Sequence, residues 1–266
     1  MANVVHFDVH GPLGAPSVLL SSGLGGTAGF WQPQLNSLLG AGYRIITYDQ
    51  RGTGRSAQAL AEPYSIQQMA VDVLEILDAS NSPSCQMVGH ALGGLVALQL
   101  ALDAPTRLDS LVLINAWSKP NPHSARCFDS RLTLLAAGGP KAYVAAQPIF
   151  LYPAAWCEAN QQRVDDEVAH GLAHFQGESN LRTRISALRD FDINSRLKEI
   201  KLPVLVSTAL DDVLVPWTSS ERLAQALALA ELDKFNHGGH GHNVTEADKF
   251  NASLLSFLAK HRIDRS

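Results

Sequence analysis

The chain has 266 residues, of which 46% are hydrophobic and 17% are charged, and its formal net charge is −4 at pH 7. This composition is typical of a globular chain that buries a large core, and the sequence has neither the basic clusters of a nucleic-acid-binding protein nor a membrane-spanning apolar stretch. The three cysteines are irregularly spaced and no signal-peptide pattern is present, so we expect a cytoplasmic protein.

Short apolar runs alternate with helical patterns along most of the chain. The runs at residues 18–21, 44–48, 86–88, 111–114 and 204–208 predict strands that are buried on both faces. Ser65 with Gln68 three residues later predicts a capping box at a helix start, and a second helix is predicted over residues 93–103. This alternation predicts an α/β fold with a mostly parallel central sheet flanked by helices.

Residues 119–195 interrupt the alternation, because they have helical patterns, several prolines and glycines, and no convincing strand. We interpret this segment as a helical cap inserted into a core of residues 1–118 and 196–266. A final helix is predicted to begin at Thr245, with Asp248 three residues later, and to end near residue 260.

Residues 89–93 read Gly-His-Ala-Leu-Gly and lie between a predicted buried strand and a predicted helix. This is the setting of a nucleophile elbow, a turn so tight that its first and fifth positions require glycine. The central position ordinarily carries serine. Here it carries Ala91, which has no oxygen with which to attack a substrate.

Other segments complete a family pattern around this elbow. Residues 21–26 form a glycine-rich loop after the first predicted core strand, and residues 49–56 match an Asp-x-Arg-Gly-x-Gly-x-Ser turn. Asp212 precedes Pro216 by four residues, and His240 follows two glycines. With these segments the chain resembles the α/β-hydrolase family. The resemblance implies Asp212 as the acid, His240 as the base, and an oxyanion hole formed by the N–H groups of Leu24 and Leu92.

The chain is also similar over nearly its whole length to the hydrolase family of the bacterial Rut pyrimidine-utilisation pathway. The similarity lies in the alanine-bearing elbow and in residues 126–128, 147–153, 173–177 and 238–245. It implies that Ala91 is native and that the protein hydrolyses 3-aminoacrylate or carbamate, releasing ammonia in pyrimidine catabolism. It implies a small-molecule substrate and no cofactor, and it leaves a homodimer open.

Without a serine, the retained acid and base need another nucleophile. Ala91 leaves roughly the room of one water molecule beside His240, which would act as general base. Positioned acid–base catalysis supplies about 10²–10⁴ in rate, which suits a substrate that already decomposes spontaneously. Two alternatives stay open: a serine esterase or amidase that carries an inactivating change at Ala91, and a non-catalytic ligand-binding protein.

Several further residues are candidates for the pocket, although packing explains each one equally well. They are His90, Trp117, Arg126, Phe150, His174 and Phe175. For Arg51 and Arg55, structural hydrogen bonding is favoured over binding of a substrate carboxylate. Asp211 is interpreted as a neighbour that structures its loop.

Two competing interpretations concern cofactors. Gly23, Gly25 and Ala28, followed by Asp49, fit a dinucleotide-binding fingerprint, but this leaves the elbow and the histidine segment unexplained. The segment His237 to His242 contains three histidines, which are common zinc ligands, yet carboxylate or cysteine partners at useful spacing are missing. We therefore expect neither a metal nor a nucleotide cofactor, and we expect the cysteines to be packing residues.

Overall fold

A computed structural model describes residues 5–263 and contains one seven-stranded sheet. The strand order is β1-β3-β2-β4-β5-β6-β7, with β1 antiparallel to β3 and every other neighbouring pair parallel. The strands are β1 (Phe7–His10), β2 (Ser17–Ser21), β3 (Arg44–Tyr48), β4 (Cys85–His90), β5 (Leu108–Ile114), β6 (Val204–Ala209) and β7 (Ala230–Phe235). The predicted α/β-hydrolase fold is confirmed.

The described residues also form eleven α-helices, and hydrophobic clusters lie on both faces of the sheet. They are α1 (Gln32–Gly40), α2 (Ile66–Ala79), α3 (Leu92–Asp103), α4 (Pro122–Ala145), α5 (Gln147–Leu151), α6 (Ala154–Ala159), α7 (Gln161–Ala173), α8 (Glu178–Arg189), α9 (Trp217–Ala226), α10 (His242–Thr245) and α11 (Ala247–Lys260). Helices α4 to α8 all lie between β5 and β6 in the sequence, and we refer to them as the cap helices. Within residues 5–263 no helix is long and apolar enough to cross a membrane.

Of the two helix starts predicted from capping residues, one is confirmed and one is wrong. The box predicted at Ser65 is present, because its side chain accepts from the Gln68 N–H and the Gln68 side chain accepts from the Ser65 N–H. The start predicted at Thr245 is wrong. The Thr245 hydroxyl donates to the Gly238 carbonyl over 2.8 Å, so it closes the preceding loop, and α11 begins after Glu246 without a side-chain cap.

The parallel strands bring four loops to one edge of the sheet. The loops that follow β2, β4, β6 and β7 contain, in that order, Leu24, Ala91, Asp212 and His240. Ligands of parallel α/β sheets bind outside the carboxyl ends of the strands. The topology therefore gathers four residues that are far apart in the sequence at the place where a ligand is expected.

Candidate active site

The elbow is a strained, tightly packed turn between β4 and α3. Ala91 has φ 47° and ψ −109°, a conformation that non-glycine residues rarely adopt. A Cβ on Gly93 would lie 2.1 Å from the Ser21 carbonyl oxygen, and one on Gly89 would lie 2.4 Å from the Gly93 carbonyl oxygen. Both positions therefore require glycine, and the backbone has the form of an elbow although its central side chain is a methyl group.

The glycine-rich loop after β2 lies directly beside this elbow. A Cβ built on Gly23 would be 3.7 Å from the Ala91 Cβ. The Leu92 N–H is the first of α3 and so has no intrahelical acceptor. Leu24 and Leu92 both line the cavity described below.

His240 and Asp212 form a buried pair. The Nδ1–H of His240 donates to Asp212 Oδ2 over 2.8 Å, and the two side chains are 2% and 0% exposed. Asp212 Oδ1 accepts the N–H groups of Leu214 and Val215 at 2.7 and 2.9 Å. Because the Nδ1–H is held by the Asp212 carboxylate, the pair fixes the imidazole tautomer and leaves a lone pair on Nε2.

The neighbouring Asp211 has a different environment. Its carboxylate oxygens accept the N–H groups of Gly238 and Gly239, at 3.2 and 2.8 Å. It therefore holds the loop that precedes His240 and does not contact the imidazole.

His90 supports His240 from the other side. Its Nε2–H donates to the His240 carbonyl over 2.8 Å, and the Asn115 side-chain amide donates to the same oxygen over 2.7 Å. Burial, followed by the nearby His240, lowers the pKa of His90 well below its usual value, so the ring is neutral. His90 both lines the cavity and packs against the Phe30 ring, with 4.7 Å between ring centroids.

A cavity of about 620 Å³ lies over these residues, a size that is typical of small-molecule sites. Its lining brings together most of the predicted site residues, namely Leu24, His90, Ala91, Leu92, Trp117, His174, Phe175 and His240. The cap helices and the segment between α7 and α8 contribute much of the remaining wall. This part of the wall includes four residues that were not predicted from the sequence: Arg131, Tyr143, Gln147 and Gln176. The Gln176 amide donates to the Leu24 carbonyl over 3.3 Å and so links the segment between α7 and α8 to the glycine-rich loop.

Two candidate pocket residues lie outside this lining. Arg126 is exposed to solvent on α4, where a charged side chain keeps its hydration. Phe150 is half-buried and packs against the core and beside the Arg131 guanidinium, 5.6 Å from ring centroid to Cζ. The expectation that these two side chains line the pocket is therefore corrected.

The two arginines of the turn after β3 are held in ion pairs. Arg51 contacts Asp72 at 2.6 Å, and Arg55 contacts Asp8 and Asp49 at 2.6 and 2.8 Å. Neither arginine lines the cavity. Asp49 also accepts the Ala28 N–H over 2.8 Å. The carboxylate to which the dinucleotide interpretation assigned a ribose is therefore already engaged within the protein.

The three histidines of the last loop point to different surroundings. The His237 side chain is 71% exposed and lies 3.5 Å from Glu246, whereas His242 is fully buried, with Nδ1 accepting from Asn115 and Nε2–H donating to Ser207. Burial lowers the pKa of His242 to about 3. Among residues 5–263 no group of three or more His, Cys, Asp or Glu side chains is arranged to hold a metal.

Cys85 and Cys127 are buried, and burial raises the pKa of both thiols.

Comparison with known proteins assigns this geometry to a family. The model of a serine aminopeptidase (S33) hydrolase family matches residues 15–245. A Variovorax paradoxus protein named "Putative carbamate hydrolase RutD" is 65% identical over 256 residues, which cover 96% of each chain. The chain belongs to the RutD family of α/β-hydrolases. An Agrobacterium fabrum protein of the same name is 53% identical over 256 residues, covering 96% of this chain and 98% of that one.

Solved structures agree with this membership. A hydrolase from Pseudomonas aeruginosa has a TM-score of 0.85 at 30% identity and covers 95% of this chain and 93% of its own. An enol-lactonase from Burkholderia xenovorans has a TM-score of 0.87 at 25% identity and covers 96% of both chains. As a RutD-family member, the chain is a hydrolase. The matching family model is named after serine peptidases, whereas the nucleophile position here holds Ala91.

Proposed function

We propose that this protein breaks down a labile small nitrogen compound, 3-aminoacrylate or carbamate, and releases ammonia, with His240 activating water for 3-aminoacrylate and delivering a proton for carbamate. The observation that carries the proposal is the intact His240–Asp212 pair beside the Ala91 methyl group. The names of the two RutD relatives support carbamate as a substrate. The reaction would belong to pyrimidine catabolism in the cytoplasm.

The attacking water would take the space of the missing hydroxyl. For 3-aminoacrylate, the enamine gains a proton at C2 and loses one from nitrogen, which gives the imine. Water then adds across the C3=N bond: its oxygen bonds to C3, and His240 Nε2 accepts its proton and delivers it to nitrogen. The resulting carbinolamine passes its hydroxyl proton through His240 to the amino group, the C3–N bond breaks, ammonia is released, and malonic semialdehyde remains. The N–H groups of Leu24 and Leu92 would stabilise the oxygen that carries developing negative charge.

For carbamate the chemistry is shorter. Protonated His240 delivers a proton to the carbamate nitrogen, the C–N bond breaks, and ammonia and carbon dioxide are released. The same two N–H groups would hold a carboxylate oxygen. No step of either reaction requires a cofactor.

Magnitudes favour labile substrates over amides. General acid–base catalysis by one positioned histidine supplies about 10²–10⁴ in rate. A serine protease that lacks one triad member retains about 10³–10⁴ over the uncatalysed reaction. Such factors leave a peptide bond stable, but they are sufficient for a molecule that already decomposes on its own.

The cavity also fits a binding protein that catalyses nothing, so the decisive measurement is rate acceleration. Ammonia release is followed from freshly generated 3-aminoacrylate and from carbamate, with intact protein, H240A and buffer alone at matched pH. H237A is the matched control, because His237 lies in the same loop, is 71% exposed, and does not line the cavity. We expect H240A to lose about 10²–10⁴ in rate and H237A to keep the full rate.

If the intact protein matches buffer on both substrates, the hydrolase proposal fails for them and ligand binding becomes the leading function. Equal losses in H240A and H237A would attribute the effect to disruption of the loop.

A further inference from the structure

Arg131 of α4 is a buried cation in the wall of the cavity. The residue is 5% exposed and lines the same cavity as Ala91 and His240. Its guanidinium carbon lies 5.2–5.8 Å from the ring centroids of Phe128, Tyr143 and Phe150. Aromatic faces attract a cation but do not neutralise its charge.

The hydrogen bonds of Arg131 go to neutral groups. One terminal nitrogen donates to the Tyr143 hydroxyl at 2.7 Å and to the Gln147 amide oxygen at 2.5 Å. The Nε atom is buried and has no partner. Within the described part of the chain, Arg131 is in no ion pair.

The acidic side chains of the cavity are engaged elsewhere. Glu167 accepts from Arg163 at 3.0 Å and from the Tyr152 hydroxyl at 2.9 Å. Asp166 accepts from the Gln162 amide at 3.0 Å. A buried charge without a counter-charge is costly, so an anion from solution is the missing partner that the arrangement favours.

A second residue of the wall also carries an unpaired donor. Trp117 lines the cavity and is 2% exposed, and its indole N–H is buried and has no acceptor. The unpaired polar groups of these two residues are therefore donors, while the carboxylates of the wall are occupied.

We propose that the cavity binds small organic carboxylates and that Arg131 binds the carboxylate group. This rests on the proposed function and narrows its substrate class. Arg131 belongs to the cap helices, whereas Ala91 and His240 come from the strand-end loops, and Arg131 forms no hydrogen bond with His240. A ligand whose carboxylate is separate from its reacting carbon, as in an enamine acid, can contact both walls at once.

The test uses propanoate and its neutral analogue propanamide as unreactive probes, with binding measured by titration calorimetry or ligand-observed NMR. Propanoate should bind the intact protein at least tenfold more tightly than propanamide. R131Q should lose about 10–100-fold in propanoate affinity, because a hydrogen-bonded charge contributes about 1.5–3 kcal/mol. Propanamide affinity should be unchanged.

The matched control is R189Q. Arg189 also approaches the Phe128 ring, at 6.0 Å, but it pairs with Asp129 and does not line the cavity. R189Q should bind propanoate as the intact protein does. Because Arg131 also bonds to Tyr143 and Gln147, R131K serves as a second variant: it keeps the charge, loses the forked geometry, and should retain part of the preference for propanoate over propanamide.

The proposal is overturned if the intact protein binds both probes equally or neither, or if folded R131Q or R131K retains full propanoate affinity. Turnover is measured separately. Arg131-dependent propanoate binding without accelerated ammonia release would sustain this inference and contradict the hydrolase proposal. Ammonia release with Arg131-independent propanoate binding would do the reverse.

Discussion

Ala91 differs from the serine of an ordinary elbow by a single missing hydroxyl, and the remaining geometry of the elbow is retained. The φ of Ala91 is 47°, His240 is hydrogen-bonded to Asp212, and Leu92 begins α3 next to it. The chemical question at this residue is whether water takes the role of the serine hydroxyl.

The variant A91S addresses this volume directly. A hydroxyl at this position would occupy the space proposed for the attacking water and would donate its hydrogen bond to His240 Nε2. We therefore expect ammonia release from 3-aminoacrylate to fall at least tenfold, as measured by initial rates at matched pH.

A91G is the size control for this experiment, because it enlarges the space and adds no oxygen. Glycine also adopts a positive φ without strain, so the elbow should keep its shape. A gain of ammonia release in A91S, together with strong labelling by a serine-directed phosphonate, would contradict the water mechanism and favour an inactivated serine hydrolase.

His242 makes the stability of the protein depend on pH. It is neutral in the folded state at neutral pH, because burial lowers its pKa from the ordinary value of 6.5 to about 3. Below pH 6.5 the unfolded chain binds a proton that the folded chain does not, so stability falls as the pH drops from about 6.5 toward 3. At pH 4.5 the penalty is roughly 2–3 kcal/mol.

The variant H242Q should remove this part of the dependence. Between pH 7 and pH 4.5, its free energy of unfolding in urea should fall by roughly 2–3 kcal/mol less than that of the intact protein. H237Q, at an exposed histidine of the same loop, should follow the intact protein. Parallel curves for intact protein and H242Q would show that His242 is not the buried titrating group.

At the scale of elements, the sequence predicted the interior strands better than the outer ones. The predicted bounds of β3 match the structure to the residue, and those of β2 and β6 each miss one residue at one end. These strands are buried on both faces, and such burial produces the continuous apolar run from which a strand is predicted. Strand β1 was not predicted, since it is an edge strand of four residues in which hydrophobic and polar residues alternate and no side chain is fully buried. Its residues lack the hydrophobic signal that burial on two faces produces.

The site followed a similar division between local and tertiary signals. Ala91, Asp212 and His240 could be chosen as candidates from the sequence, because each lies in a short motif after a strand. Asn115 and Arg131 were not, because their roles depend on what the fold places opposite them. The exposed Arg126 and the buried Arg131 belong to one helix, and burial of a charged residue runs against the pattern from which a helix face is predicted.

At the scale of the whole molecule, one buried cation connects the cap helices to the core. Arg184 of α8 is fully buried and donates to the Gln50 side-chain oxygen and, at 3.4 Å, to the Arg51 carbonyl. The Gln50 amide donates in turn to the Ser22 carbonyl at 2.7 Å, next to the glycine-rich loop. Burial lowers the pKa of Arg184 to about 10, so it is still charged at neutral pH.

This connection predicts that cap and core unfold together. R184A should lower the free energy of unfolding by about 3 kcal/mol or more, because it leaves a cavity and unpaired acceptors at Gln50 and Arg51. R182A is the control on the same helix, since Arg182 is 44% exposed in an i,i+4 pair with Glu178 and should cost less than about 0.5 kcal/mol. Urea unfolding followed by tryptophan fluorescence and by far-UV circular dichroism should give one coincident transition for the intact protein. Two separated transitions, or an R184A protein as stable as R182A, would mean that the cap helices fold independently of the sheet.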